Sequence, residues 1–146
     1  VQAFKEASGL EHFLDCYVAI EPQRRSGDIR QEVRYFSGDD GLNLAMIANG
    51  ANGTISVVAN IAPELTKRLV DAVRKGNLPE ANDLYWNKGF YALSKAMFIE
   101  TNPIPVKTAL SMMGRVEEFF RSPMTPMAPQ NRQRLEAVLQ QYNLLT

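Results

Sequence analysis

The sequence predicts an α/β protein in which three strand–helix units are followed by helices alone, and three observations carry that prediction. Short stretches of strand character near residues 1–7, 33–37 and 54–58 each precede an apolar pattern of helical period. Beyond about residue 76 every periodic segment reads as helix. Finally, 146 residues at 45% hydrophobic and 22% charged are enough to bury one core, and the composition is that of neither a disordered chain nor a disulfide scaffold. Alternating strands and helices imply parallel βαβ connections, and trailing helices imply an appended helical layer.

Taken in order, residues 1–7 alternate, with Val1, Ala3, Lys5 and Ala7 on one face and Gln2, Phe4 and Glu6 on the other. Ser8-Gly9-Leu10-Glu11 fits a capping box, which starts a helix running from about Leu10 to Ile20. Pro22 to Ile29 is polar and reads as a loop ahead of a strand at Val33 to Ser37. Gly38-Asp39-Asp40-Gly41 breaks that strand and opens a short helix with Leu44, Met46 and Ile47. Asn49 to Gly53 has turn chemistry and leads into a β-branched strand, Thr54 to Val58. Pro63 suits a first helical turn, and Leu65, Leu69, Ala72 and Val73 keep helical spacing until Lys75-Gly76. One longer helix carries Ala81, Leu84, Tyr85, Ala92, Leu93, Ala96 and Met97. Asn102-Pro103-Ile104-Pro105 precedes a helix to about Met113, Ser122 to Pro129 is a proline-rich linker, and Leu135, Val138, Leu139 and Tyr142 are in register on a last helix. Residues 1–76 and 77–146 thus form the two predicted parts.

Charge narrows the function classes. Sixteen basic residues balance sixteen acidic ones, so no net field draws the chain to nucleic acid or an anionic membrane. Arg24, Arg25, Arg30 and Arg34 form a basic run without interleaved aromatics and read as a solvated loop. No apolar run reaches the ~20 residues of a spanning helix, and no signal segment opens the chain. With one cysteine, Cys16, an internal disulfide is impossible, and a reducing, cytoplasmic compartment is expected, a plastid being also compatible. His12 and Cys16 lie four apart on the first helix, but two ligands do not make a metal site, so packing is the expected role and no metal or cofactor is assigned. Met112-Met113, Phe119-Phe120 and Trp86 are assigned to core or subunit contact, and Asp39-Asp40 to capping the helix that follows.

In parallel α/β folds the active site lies at the C-terminal ends of the strands. The first strand ends in Lys5, the second in Ser37-Gly38-Asp39-Asp40, and the third in Ile55 through Asn60. A lysine facing apolar neighbours loses hydration of its charged form, so its pKa should fall and leave neutral amine able to attack a ketone. Gly38 would let the backbone approach a ligand, with amide donors for a carboxylate. The plainer alternative is a lysine that snorkels to solvent and a glycine that only turns the chain.

Phe4-Lys5-Glu6-Ala7-Ser8-Gly9, Ser37-Gly38-Asp39-Asp40, Gly50 through Pro63 and Glu100-Thr101-Asn102-Pro103-Ile104-Pro105-Val106-Lys107 resemble, in this order, the dihydrodipicolinate synthase family. The run Arg121 to Met127 is similar to the family's stretch before its last helix. The resemblance implies the last three βα units of a (β/α)8 barrel plus a C-terminal helical domain. It implies a lyase in which Lys5 forms a Schiff base with pyruvate and the enamine attacks L-aspartate 4-semialdehyde, giving 4-hydroxy-tetrahydrodipicolinate on the route to diaminopimelate and lysine. Ile55 matches the position whose backbone carbonyl lines the pyruvate site, and Gly38 the loop beside the pyruvate carboxylate. The alternatives are another pyruvate-dependent aldolase of the wider N-acetylneuraminate lyase superfamily, or an inactive fragment that only self-associates.

The chain departs from the family pattern in two ways. The segment between Gly9 and Val33 is longer, with extra residues around Glu21 to Ile29. The match also covers only the family's C-terminal half, without the carboxylate-binding threonines, the proton-relay tyrosine and the aldehyde-binding arginine. A (β/α)8 barrel takes about 250 residues, and Val1 opens directly inside a strand-like pattern, so a complementary N-terminal half or a second copy is the expected partner. The intact family is usually tetrameric.

Overall fold

The computed structural model describes residues 2–27 and 33–145. Val1, Ile29 and Arg30 lie outside the described residues. A three-stranded parallel sheet in the order β1 (Ala3–Glu6), β2 (Arg34–Ser37), β3 (Gly53–Thr54) is pinned by the pairs Lys5 with Phe36, Glu6 with Ser37, and Ser37 with Thr54. Helix α1 (Leu10–Ser26) connects β1 to β2, and α2 (Asn43–Ala48) connects β2 to β3. Then follow α3 (Pro63–Arg74), α4 (Leu78–Asn82), α5 (Phe90–Ala96), α6 (Ile104–Met112) and α7 (Pro129–Gln141). Among the described residues, three strands and seven α-helices make this a mixed α/β chain that is mostly helical.

Alternation sorts the sheet faces as expected. Phe4 stacks edge-on against Tyr35 at 4.7 Å between ring centres, and Phe13 and Tyr17 of α1 complete an aromatic cluster around that ring. On the opposite face Ala3, Lys5 and Arg34 are exposed and Phe36 is half-buried, so that face is uncovered. Farther along, Leu69, Leu84, Phe90, Leu93, Leu135 and Leu139 are all buried and join the helices into one core. Glu118 ties α6 to α7 by accepting from Thr108 Oγ1 at 3.0 Å and pairing with Arg132 at 2.6 Å.

Four expectations need correction. The first helix continues through Pro22 to Ser26, because losing one backbone donor does not by itself end a helix whose flanking turns can form. The capping box is replaced by a different arrangement: the Ser8 N–H goes to the Glu6 carboxylate rather than to Glu11, and the Gly9 carbonyl accepts from Phe13 N–H at 3.1 Å. The third strand spans Gly53–Thr54 rather than 54–58. The Asp40 carboxylate draws in the Val57 and Val58 N–H groups at 2.8 and 2.9 Å, and Ser56 Oγ accepts from Ala59 N–H, which turns the chain out of the sheet. The long helix over residues 81–97 is instead α4, a π-helical turn at Asp83–Asn87, and α5, parted at Gly89, whose φ of 89° is left-handed. Its apolar stripe survives the break, with Ala81, Leu84, Tyr85, Leu93, Ala96 and Met97 all buried. Trp86, expected in a core or subunit contact, is 58% exposed and packs on Tyr85 and Tyr91 at the surface. Among the described residues no helix is long and apolar enough to cross a membrane.

Candidate active site

The C-terminal edge of the sheet gathers the three residues singled out from the sequence. Lys5 projects from the exposed face of β1, and its side chain lies over Gly38, the first residue after β2. Ile55 follows β3, with its N–H bonded to the Ser37 carbonyl at 2.8 Å, and it is half exposed. Lys5 and Gly38 therefore touch, and Ile55 joins them through the backbone of residue 37.

Two details differ from expectation. Lys5 stands exposed, not enclosed by apolar side chains, because Ala3 and Ala7 on its own face are also exposed. The Gly38 N–H is already given to the Glu6 carbonyl at 2.6 Å, so what Gly38 offers is clearance for the lysine stem rather than a free donor.

Of the acidic pair after Gly38 only Asp39 caps, and what it caps is a 3-10 turn rather than the α-helix beyond it. Asp39 Oδ1 accepts from Gly41 N–H at 2.9 Å and caps a short 3-10 turn at Asp40–Leu42. Asp40 is buried; one oxygen accepts from Asn43 Nδ2 at 2.9 Å and the other from Val57 and Val58. A single carboxylate thus fixes the loop after β2 against the loop that carries Ile55.

A cavity of about 390 Å³ opens beside this edge, lined on one side by Ala7, Gly38 and Asp39 and on the other by Tyr91, Lys95 and Phe98. Behind it the Tyr85 hydroxyl donates to the Gly41 carbonyl, and burial, helped by Tyr91 and the Asp39 carboxylate, pushes its phenol up to about 12. The sequence reading missed these residues of α5 and its flanks because their pairing with the 38–41 loop spans more than forty positions. It also missed the surroundings of Glu6. Burial pushes that carboxyl up, but the Ser8 N–H and His12 outweigh burial and hold it below its ordinary range.

Parallel strand–helix units with a lysine and a close-packed glycine at the C-terminal sheet edge define the class, an α/β protein whose candidate chemistry sits where its strands end. The chain belongs to the dihydrodipicolinate synthetase family, which it matches over residues 1–142. The 4-hydroxy-tetrahydrodipicolinate synthase of Aquifex aeolicus is 47% identical over 145 residues, covering 97% of this chain and 49% of that protein. That of Trichlorobacter lovleyi is 41% identical over 145 residues, covering 99% and 47%. The crystal structure of dihydrodipicolinate synthase from Thermotoga maritima superposes with a TM-score of 0.87 at 35% identity, covering 99% of this chain and 47% of that one. The chain spans about half the length of the curated relatives it matches.

Proposed function

We propose that this chain supplies the Schiff-base half of a 4-hydroxy-tetrahydrodipicolinate synthase, with Lys5 as the nucleophile toward pyruvate. The observation that carries the reading is the placement of Lys5: at the C-terminal end of a parallel strand, on the uncovered sheet face, with its stem across Gly38. The amine nitrogen attacks the keto carbon of pyruvate and water leaves, forming an iminium. Loss of a methyl proton gives an enamine, whose carbon attacks the aldehyde of L-aspartate 4-semialdehyde. Gly38 lies beside the bound carboxylate and keeps the lysine path open, while the Ile55 carbonyl lines the keto acid.

On this reading the three βα units are the last three of a (β/α)8 barrel, and residues 77–146 form the helical domain beside them. The complementary N-terminal half covers the open sheet face, enclosing Lys5 and supplying the groups for proton relay and carboxylate binding. The exposed Ala3, Lys5 and Arg34 and the half-buried Phe36 support an apposed partner there. The test is trapping with pyruvate and borohydride in the presence of that half, followed by peptide mass analysis. A reduced adduct on Lys5, absent from Lys5→Arg, is expected; an unlabelled Lys5 in the assembled protein overturns the proposal.

A further inference from the structure

His12 and Cys16 are the only histidine and the only cysteine among the 146 residues, and the fold brings both to one buried carboxylate. Four apart on α1, they share a helix face, as the sequence indicates. The sequence does not reveal the third group. Glu6, at the end of β1, points to the helix side of the sheet and is 5% exposed. Its Oε1 accepts the Ser8 N–H, which fixes the carboxylate and leaves Oε2 directed at the histidine. His12 Nδ1 lies 2.6 Å from Glu6 Oε2 and 3.8 Å from Cys16 Sγ, and all three ligand atoms fall within 4.8 Å of one another.

We propose that Glu6, His12 and Cys16 form a binding site for a divalent transition-metal ion, with zinc the best chemical match and the fourth position left to water. Tetrahedral zinc, with bonds of about 2.0–2.3 Å, sets its ligand atoms about 3.3–3.6 Å apart. The histidine–cysteine separation is already close to that value. The glutamate–histidine separation must open by less than about 1 Å, exchanging one hydrogen bond for two coordinate bonds. The ring has room to do so, because the His12 side chain is 57% exposed, whereas Glu6 is held in place from behind. Imidazole with thiolate selects zinc or copper over magnesium and calcium, which prefer all-oxygen sites.

Cys16 reports on the site by itself. In the full chain, alkylation of Cys16 by iodoacetamide, followed by mass, should slow at least about tenfold with one equivalent of Zn²⁺ and not at all with Mg²⁺, and His12→Ala should abolish the protection. Independently, Co²⁺ added to the unaltered protein should give a thiolate-to-cobalt charge-transfer band that is absent from Cys16→Ser. Equal alkylation rates with and without Zn²⁺, protection that survives in His12→Ala, or no charge-transfer band in the unaltered protein would each overturn the site. The cobalt measurement needs no variant to fold.

Discussion

The stem of Lys5 lies so close across Gly38 that a methyl group on the glycine would sit 2.5 Å from Lys5 Cε and 2.9 Å from Cγ. Gly38 has no left-handed backbone to accommodate, so clearance alone accounts for the glycine. Gly38→Ala should therefore push the whole Lys5 stem aside and press on the Ala7 methyl at 3.0 Å, at a stability cost of about 1–3 kcal/mol. Its effect should appear in chemistry that depends on where the amine sits, with pyruvate–borohydride labelling of Lys5 falling at least about tenfold, since a 1 Å misplacement can cost more than that. Thermal unfolding and labelling measured on the same sample check both halves. Unchanged labelling would mean that the lysine path does not matter.

Asp40 should matter for stability rather than for a reaction. Its buried carboxylate accepts three hydrogen bonds, two of them from the backbone of the turn that carries Val57 and Val58. Asp40→Ala leaves those donors without a partner, and each buried orphan costs about 1–3 kcal/mol. A loss of roughly 3 kcal/mol or more in denaturant unfolding is expected. Hydrogen exchange at Val57 and Val58 should quicken more than exchange within α3.

Much of this architecture was legible before any coordinates. The order of strands and helices, the start of α3 at Pro63 and the inward stripe from Ala81 to Met97 all follow from apolar period and local turn chemistry. Lys5 could be placed on a face because period-two alternation sorts residues 1–7, and Gly38 at a strand end because Gly38-Asp39-Asp40-Gly41 breaks the strand, whereas the role expected of Ile55 came from the family resemblance. What escaped depends on contacts between distant positions. The chain leaves the sheet after β3 because the carboxylate of Asp40, seventeen residues before Val57, claims the Val57 and Val58 amides. The third member of the His12–Cys16 cluster comes from another element, and no spacing rule reaches it. That the Gly38 N–H belongs to the sheet, and is no free donor, depends on a register that no single strand encodes.

Tyr85 gives an alkaline signature with a definite sign. Its folded-state pKa is raised from 10.0 to about 12, so the neutral phenol is the form the fold favours. The stability this contributes is fully present below pH 10 and is lost as pH rises from there through about 12. Two pKa units at full weight are about 2.7 kcal/mol, and because water still reaches and screens the hydroxyl the contribution is about half of that or less. Tyr85→Phe should cost about 0.5–1.5 kcal/mol near neutrality, from the lost bond to the Gly41 carbonyl, and should flatten the alkaline fall in stability. Phenolate absorbance during a pH titration of both proteins, with unfolding measured at each pH, checks the assignment. A fall of equal steepness in the variant would assign it to other tyrosines.

Gly89 and Tyr142 test how α7 is seated on the rest of the chain. At Gly89 the backbone takes a φ of 89°, which side chains other than glycine rarely adopt, and a Cβ there would run into the ring of Tyr142 just past the end of α7. Gly89→Ala combines both penalties, backbone strain and a ring forced off its seat, for an expected loss of about 2–4 kcal/mol. The two parts separate in a double-mutant cycle. Tyr142→Ala removes the obstructing ring, so Gly89→Ala should cost only about 1–2 kcal/mol in that background, the left-handed strain alone. A coupling of at least about 1 kcal/mol is therefore expected from the four unfolding curves. Costs that simply add would mean that the ring yields freely and that the strain at residue 89 is the whole effect.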